Sequence, residues 1–337
     1  MVRPGARNLI TDVAGLRVGQ AVDATLRSGV TVVLPDTAAR AVVDIRGGAP
    51  GTRETDALDP SSLGVKTDAI VISGGSAFGL DAASGVMAWL SAEGRGFELR
   101  PGTPRIPIVP AAVIFDFAGD AQFAPDANPY ARLGREAVAR ATEEFALGNE
   151  GAGLGAKAGA YKGGLGSASA VIDQGLCVGA LAVVNAVGSP LIPGTDVFWA
   201  FPFEQGNEFG GRRLSGPLPE MALDLPPDAK GRAAAGQNTT ICIVATDADL
   251  SAPELQRIAI MATDGLARAL RPVHTPFDGD TLFALTTAKN PLRGDRLREL
   301  TRLGNLAADC VSRAIARAVY AAESLGDTKS YRDIFKL

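Results

Sequence analysis

The sequence of 337 residues contains a single histidine, His274, and only three cysteines. One histidine is too few for a metal site built from several imidazoles, and it makes a Ser-His-Asp triad difficult to assemble. The cysteines at 177, 242 and 310 are odd in number, far apart and set among apolar residues. This pattern is typical of small buried side chains in a reducing cytoplasm rather than of a disulfide or zinc framework. We therefore expect a cytoplasmic protein whose chemistry runs without imidazole.

Strong charge and long apolar runs are also missing. The net charge is -4, and no cluster of basic residues of the kind that binds a phosphate backbone is present, so nucleic-acid binding is not expected. No apolar run reaches the length of a membrane span, and residues 1–12 lack a stretch of signal-peptide length. The composition, 46% hydrophobic and 21% charged, is typical of a soluble globular protein with a sizeable core.

Short β-branched runs alternate with helical segments along the chain. Strands are predicted at 30–34, 41–45, 69–72, 106–115, 177–184, 241–245 and 283–287, and helices at 78–90, 130–145, 251–270 and 303–324. Residues 151–169 are rich in glycine and are predicted to form a loop, and residues 188–237 a long, partly mobile connector. The mixture predicts an α/β protein with helices on both faces of one or two sheets, and a layered α/β/β/α sandwich is compatible with it.

The most informative motif is Asn238-Thr239-Thr240, which follows the connector and precedes the apolar run 241–245. Self-cleavage before Thr239 would create an N-terminal threonine, whose Oγ attacks while its own α-amine accepts the proton. A free α-amine titrates near pH ~8, against ~10.4 for a lysine, so a useful fraction is neutral at physiological pH. The alternative is a Thr-Thr pair that only begins a strand, where β-branched residues are common. The pair by itself favours this alternative.

Two further motifs suit such a nucleophile. Asp278-Gly279-Asp280 leads into a strand, and residues two apart in an extended chain point to one side, so both carboxylates could face one site. Paired acids can hold the proton balance of an α-amine and orient a hydroxyl, although Asp-Gly is also a common solvated turn. Asn185 ends a predicted strand, where its amide could donate to a developing oxyanion or merely cap a turn.

Three other residues are weaker candidates. Lys162 lies beside glycines, where it could hold a carboxylate, lower the pKa of a neighbouring amine, or simply be solvated. The glycine spacing around it does not fit a phosphate-binding loop. Ser76 fails the G-x-S-x-G nucleophile pattern at its last position, and it is predicted to cap a helix or to line the site. His274 is interpreted as structural.

Together these motifs resemble the family that includes L-aminopeptidase/D-esterase, β-peptidyl aminopeptidase and the 6-aminohexanoate (nylon) oligomer hydrolase. The similar blocks occur in order over nearly the whole chain, at 8–13, 15–19, 44–52, 73–80, 113–117, 162–167, 184–185, 238–240, 245–247 and 278–281. So many ordered blocks are specific, and they outweigh the alternative for each single motif.

The resemblance implies an N-terminal-nucleophile hydrolase with a four-layer α/β/β/α sandwich and no metal or organic cofactor. It implies one catalytic domain, 1–337, that cuts itself between Asn238 and Thr239. The α chain, 1–238, and the β chain, 239–337, would stay together in a homo-oligomer of αβ units. Thr239 Oγ would attack the preceding carbonyl in an N→O acyl shift and would later carry an acyl-enzyme. Asn185 would hold the oxyanion, and Asp278 and Asp280 match the family's acidic or hydroxyl pair.

Two departures from the family pattern accompany this resemblance. Some members carry a tyrosine at the position of Phe115, which has no hydroxyl to donate; Phe115 and Ser76 are the substrate-binding candidates. The nylon-hydrolase branch has a site lysine ten residues into its Gly-Ala-Gly loop, which corresponds to Ala160 here, and Lys162 is the candidate for that role.

The leading interpretation is an aminopeptidase-like amidase that acts on short peptides, β-peptides or amino-acid amides. One alternative is an endo-hydrolase of nylon oligomers. Another, from a different class, is a self-cleaved binding or scaffold protein without catalysis.

Overall fold

The computed structural model describes residues 2–62, 66–117, 123–172, 175–219, 225–230 and 237–337. Its strands are β1 (Leu16–Asp23), β2 (Ser28–Pro35), β3 (Arg40–Ile45), β4 (Thr52–Arg53), β5 (Ile70–Ser73), β6 (Ala111–Val113), β7 (Lys157–Ala158), β8 (Tyr161–Lys162), β9 (Gly164–Val171), β10 (Cys177–Asn185), β11 (Thr239–Ala248) and β12 (Thr281–Asn290). Its α-helices are α1 (Ser76–Gly79), α2 (Ala82–Ala92), α3 (Tyr130–Ala139), α4 (Ala252–Ala269), α5 (Arg296–Ala321) and α6 (Tyr331–Phe335). In the part of the chain described, no helix has both the length and the apolar character needed to cross a membrane.

In the described part of the chain, all strands except β7 and β8 form two five-stranded sheets, ordered β1-β2-β5-β6-β4 and β3-β12-β11-β10-β9. In the second sheet β10 pairs antiparallel with β11 and places Asn185 directly opposite Thr239. On its other side β11 runs parallel to β12, with Ile241 beside Thr281. The end of β10 and the beginnings of β11 and β12 therefore meet at one end of this sheet, and each carries or adjoins a predicted site residue.

Three hydrophobic clusters form the core. The first joins the second sheet to α4 and α5, and the second draws residues from both sheets. The third joins the first sheet to α2 and α3. Alternation along β11 shows how the chain divides its side chains: Cys242 and Val244 belong to the first cluster, whereas Ile241 and Ile243 belong to the second. Because side chains alternate across a strand, one apolar run covers both faces of its sheet. The predicted α/β class is confirmed.

Elements with strong local signals are close to their predicted positions. The strands predicted at 30–34, 41–45, 177–184, 241–245 and 283–287 lie within β2, β3, β10, β11 and β12. The helix predicted at 251–270 is α4, and Ser251 and Glu254 form the expected capping box at its start. The helix predicted at 130–145 ends at Ala139, and α5 begins before 303, at Arg296, where Asp295 caps it.

Two predictions about the middle of the chain are wrong. The strand predicted at 106–115 is limited to β6, because Pro107 and Pro110 have no N–H for a ladder. The loop predicted at 151–169 contains β9, which pairs along its length with β10. Gly151 and Gly159 have a positive φ, whereas the glycines at the start of β9 serve close packing. A Cβ on Gly166 would lie 2.0 Å from the carbonyl oxygen of Ala314, so glycine is what lets α5 lie on the sheet.

The segment predicted as a connector is irregular, as expected, but much of it is packed. Leu191, Phe198 and Phe209 are buried in the first cluster. Near the end of the segment, Asp228 accepts a hydrogen bond from the Ser189 hydroxyl, and the Lys230 N–H donates to the Val187 carbonyl at 3.0 Å. Residues 220–224 and 231–236 of the predicted connector lie outside the described residues.

Candidate active site

The peptide bond between Asn238 and Thr239 lies at the start of β11, and both residues are buried. The Thr239 hydroxyl donates a hydrogen bond to the carbonyl oxygen of Asn238, so this oxygen nucleophile lies beside the carbonyl that it would attack. The Gly279 N–H donates to the same carbonyl oxygen at 2.8 Å. A donor at this position stabilises negative charge as it develops on the oxygen. The arrangement has the parts that an acyl shift at this bond requires.

Gly279 is in place because Asn238 and Asp278 form a short parallel β-bridge. A Cβ on Gly279 would lie 2.7 Å from Thr239 Oγ1 and 2.8 Å from the carbonyl oxygen of Ala49. No side chain fits between these groups, so glycine is needed for the close approach of the two chain segments.

Asp280 is buried and connects the start of β11 to the turn at 274. Its Oδ1 accepts a hydrogen bond of 2.7 Å from the Thr240 N–H. Its Oδ2 accepts from the His274 N–H at 2.9 Å and lies 2.8 Å from His274 Nδ1. The single histidine of the chain therefore contacts the predicted acid pair, a contact that sequence reasoning missed although only five residues separate the two.

Asp278 is also buried, at 1% exposure, so the solvated form of the predicted Asp-Gly turn is wrong. Its Oδ2 accepts hydrogen bonds from the N–H and hydroxyl of Thr275, and its Oδ1 accepts from the Val187 N–H at 3.2 Å. Burial and the nearby Asp280 carboxylate raise the pKa of Asp278. Within the described ranges, only the Asp280 carboxylate binds a group next to Thr239, the Thr240 N–H, and neither acid hydrogen-bonds the Thr239 hydroxyl.

The Asn185 carboxamide is held from two sides. Its Nδ2 donates to the carbonyl oxygens of Phe115, at 3.0 Å, and Gln237, at 3.2 Å. Its Oδ1 accepts from the Lys157 N–H at 3.0 Å and from Lys230 Nζ at 3.1 Å. One Nδ2 hydrogen thus points at the chain segment that immediately precedes the Asn238–Thr239 bond. This placement is compatible with the predicted oxyanion role.

A cavity of about 590 Å³ opens beside Asn238. Phe115, Asn185, Gln237 and Asn238 contribute to its wall, as does the ring of Phe117, which packs edge-on against Phe115 with a centroid distance of 5.3 Å. Its charged lining residues are Arg27, Asp116, Lys157, Lys162, Lys230 and Asp327. Ser76, the other predicted substrate-binding residue, does not line the cavity. It is the first residue of α1, with Gly75 and not Ser76 in the capping position.

Lys162 is buried at 1% exposure, and its ammonium donates to three carbonyl oxygens, those of Gly153, Ala156 and Gly163, at 2.8–3.0 Å. The solvated alternative for this residue is therefore wrong. Burial lowers the pKa of Lys162 to about 7, although the Asp116 carboxylate opposes that shift. Because all three partners are main-chain carbonyls of its own loop, the contacts of Lys162 indicate that it stabilises the wall of the cavity.

Of the six charged residues that line the cavity, only Lys162 was predicted from the sequence, and Asp116 and Lys230 are two of the five that were missed. Burial raises the pKa of Asp116 to about 6, and its Oδ1 accepts from the Gly75 N–H at 2.7 Å. Asp116 follows Phe115 directly, so the family block at 113–117 contained a signal for it. Lys230, by contrast, lies in an irregular segment without periodicity or motif, and only its tertiary contact with Asn185 reveals it.

Comparison with known proteins adds independent findings. Residues 8–332 match peptidase family S58. An uncharacterized aminopeptidase of Mycobacterium tuberculosis is 43% identical over 97% of this chain and 98% of its own length. A 6-aminohexanoate-oligomer endohydrolase of Kocuria sp. is 32% identical over 93% of this chain and 86% of its own.

Among solved structures, the L-aminopeptidase D-Ala-esterase/amidase of Ochrobactrum anthropi superposes with a TM-score of 0.69 at 23% identity, covering 97% of this chain and 89% of that one. That structure is described as a new variant of the N-terminal-nucleophile (Ntn) hydrolase fold.

The fold and these similarities define a hydrolase of peptide or amide bonds. The chain belongs to peptidase family S58, and the family resemblance found in the sequence is thereby confirmed.

Proposed function

We propose that this protein is a self-processing N-terminal-threonine amidase that cuts itself between Asn238 and Thr239. The observation that carries the proposal is the pair of groups on one carbonyl oxygen, the Thr239 hydroxyl and the Gly279 N–H. Attack of Oγ on the Asn238 carbonyl carbon forms an ester and breaks the C–N bond, and the threonine nitrogen gains the proton. Water then hydrolyses the ester, which leaves a carboxylate on Asn238 and a free α-amine on Thr239.

In turnover, the freed α-amine of Thr239 accepts the proton from its own Oγ, which attacks the substrate carbonyl in the space next to the cavity. The proton passes to the leaving amine as the C–N bond breaks, and water then hydrolyses the acyl-enzyme on Oγ to release the acid. Asn185 Nδ2, which binds the Gln237 carbonyl in the uncut chain, donates to the oxyanion. Asp278 and Asp280 hold the chain on either side of the nucleophile and set the charge around the amine. The proposed substrates are short peptides, β-peptides or amino-acid amides.

A second candidate activity is endo-hydrolysis of nylon-type oligomers. It is supported by the 32% identity to the Kocuria 6-aminohexanoate-oligomer endohydrolase over most of both chains. Release of products from a linear 6-aminohexanoate oligomer, followed by mass spectrometry, separates the two activities. An endo enzyme gives internal fragments early, whereas an aminopeptidase removes single units from the amino end.

Three structural proposals accompany this function. The three clusters, each between a sheet and a helix pair or between the two sheets, support a four-layer α/β/β/α arrangement within one domain. The free, buried cysteines support a reducing, cytoplasmic location. A homo-oligomer of αβ units is proposed from the family resemblance, and analytical ultracentrifugation of the processed protein tests it.

The deciding experiment is the intact mass of the purified protein under denaturing conditions. Cleavage as proposed gives a β chain of about 10 kDa and an α chain of about 24 kDa from the 34.6 kDa precursor. Thr239→Ala should remain uncut and inactive on amino-acid p-nitroanilides, whereas Thr240→Ala should still be cut at the same bond. A Thr239→Ala protein cut between the same residues would refute the shared nucleophile. A cut protein without activity on any small amide would favour the non-catalytic scaffold alternative.

A further inference from the structure

Lys230 is a partly buried lysine of the cavity wall, and its ammonium contacts Asn185 twice. Nζ lies 3.2 Å from the main-chain oxygen of Asn185 and 3.1 Å from its side-chain Oδ1. Neither the acyl shift nor the turnover described above assigns a task to this lysine. Because this ammonium contacts the proposed oxyanion donor, it can act directly on the orientation of the Asn185 carboxamide.

The partners of the Asn185 carboxamide determine which way it points. Donors, the Lys157 N–H and the Lys230 ammonium, lie at Oδ1, and carbonyl acceptors lie at Nδ2. A flipped amide would place its NH₂ group against two donors and its oxygen against two acceptors. Of these four contacts among the described residues, only the one from Lys230 comes from a charged group. Hydrogen bonds to charged groups are stronger than those between neutral groups.

This contact does not depend on the uncut chain. The Gln237 carbonyl on Nδ2 belongs to the end of the α chain and is free to leave once the bond after Asn238 is broken. Lys230 is anchored separately, because its N–H donates to the Val187 carbonyl and Asp228 binds the Ser189 hydroxyl. After cleavage, therefore, Lys230 still holds Oδ1, while the hydrogen of Nδ2 that faced Gln237 becomes available to a substrate.

We propose that Lys230 is a positioning residue of the active site, whose ammonium holds Asn185 Oδ1 and directs Nδ2 toward the substrate oxyanion. The proposal rests on the function proposed above. It assigns Lys230 to turnover and not to self-cleavage, since in the uncut chain the attacked carbonyl is bound by the Gly279 N–H and Asn185 is occupied by Gln237.

The charge of Lys230 is sensitive to pH. Burial and the like charge of Lys157 lower its pKa to about 7, and the Asp278 carboxylate opposes them. Loss of the proton weakens the contact with Oδ1, so the kcat of the wild type should fall relative to that of a permanently charged variant as the pH rises above neutrality. An arginine at this position keeps its charge throughout this range.

The test compares Lys230→Met, Lys230→Arg and the control Lys289→Met, which removes a lysine at the far end of β12. Processing is followed by intact mass, and kcat and KM are measured on the processed proteins. We expect Lys230→Met to process at nearly the wild-type rate and to lose at least about tenfold in kcat, with little change in KM. Lys230→Arg should recover kcat, and the ratio of its kcat to that of the wild type should rise as the pH rises above neutrality, because the Thr239 α-amine titrates in both proteins and cancels in the ratio. Lys289→Met should match the wild type.

Two results would overturn the assignment: a processed Lys230→Met with wild-type kcat, or a ratio of Lys230→Arg kcat to wild-type kcat that does not change with pH. If Lys230→Met fails to fold, as judged by its melting temperature, the pH profile of Lys230→Arg decides alone. A folded Lys230→Met that is not cut would place the lysine in self-cleavage and also refute the proposal. Failure of the proposed function is distinguishable, because it appears in the wild type as an uncut chain or in Thr239→Ala as retained activity.

Discussion

Replacement of Gly279 by alanine is a sharp test of the nucleophile's geometry. The added methyl group would lie 2.7 Å from Thr239 Oγ1, whereas ordinary contacts begin at 3.4 Å, so the two atoms must separate by about 0.7 Å. The loop cannot easily retreat, because Ala49 O is 2.8 Å from the same methyl and both flanking aspartates are hydrogen-bonded. The Thr239 hydroxyl is then displaced from the Asn238 carbonyl.

A misplacement near 1 Å costs on the order of 10²-fold in rate, so we expect Gly279→Ala to slow self-cleavage by about 10- to 100-fold. The backbone at Gly279 is not in the left-handed region, so alanine is compatible with its conformation, and overpacking should cost about 1–3 kcal/mol of stability. The rate is measured as the appearance of the β chain by intact mass during timed expression.

The control for this experiment is Gly304→Ala, whose new methyl has atoms of the Met261 side chain, and not backbone, as its three nearest neighbours. This variant should be processed like the wild type. If Gly279→Ala were cut at the wild-type rate while remaining folded, the close contact between Gly279 and the hydroxyl would be irrelevant to the reaction, and the proposed attack geometry would be wrong.

Two further predictions concern stability. Because the folded-state pKa of Lys162 is lowered from 10.5 to about 7, the unfolded chain binds more protons above neutrality, and this lysine makes the free energy of unfolding rise with pH from 7 to 8.5. Urea denaturation across this window should show a smaller rise in Lys162→Met, and equal slopes would contradict the shift. Arg313→Met removes the two-pronged partner of Glu208, whose side chain is 7% exposed and still contacts Asn8 and the more distant Arg317, and it should cost about 3–5 kcal/mol in urea denaturation. The surface pair Arg296–Glu254 is the control, since Arg296→Met should cost only about 0–1 kcal/mol, and equal losses would argue against the burial effect.

How far the sequence predicts the fold depends on how local the signal is. The capping box at Ser251 and the apolar run at 241–245 place α4 and β11, because each signal lies within the element that it specifies. Glycine was misleading at 151–169. In β9 glycine permits the close approach of α5, a helix that lies far along the chain. Elsewhere the same residue type marks turns, so glycine content alone did not distinguish the two uses.

The candidate site shows the same division. Thr239, the acid pair and Asn185 were predicted because motifs and a family resemblance mark them, and the structure brings them to one end of a sheet. Ser76 shares a motif block with them but does not line the cavity. Lys230 has no motif, so only its contact with Asn185 identifies it.

The sequence by itself determined the α/β class, the family and the residue at which the chain is proposed to cut itself. These follow from local periodicity and from ordered motifs, which a chain carries before it folds. Only the tertiary structure decided that the Gly279 N–H shares a carbonyl oxygen with the Thr239 hydroxyl, and that Lys230 holds Asn185. Such contacts join residues about 40 positions apart in sequence, as Thr240 and Asp280 also are. Strand pairing and packing set their distances to fractions of an ångström, and no property of the separate segments encodes them.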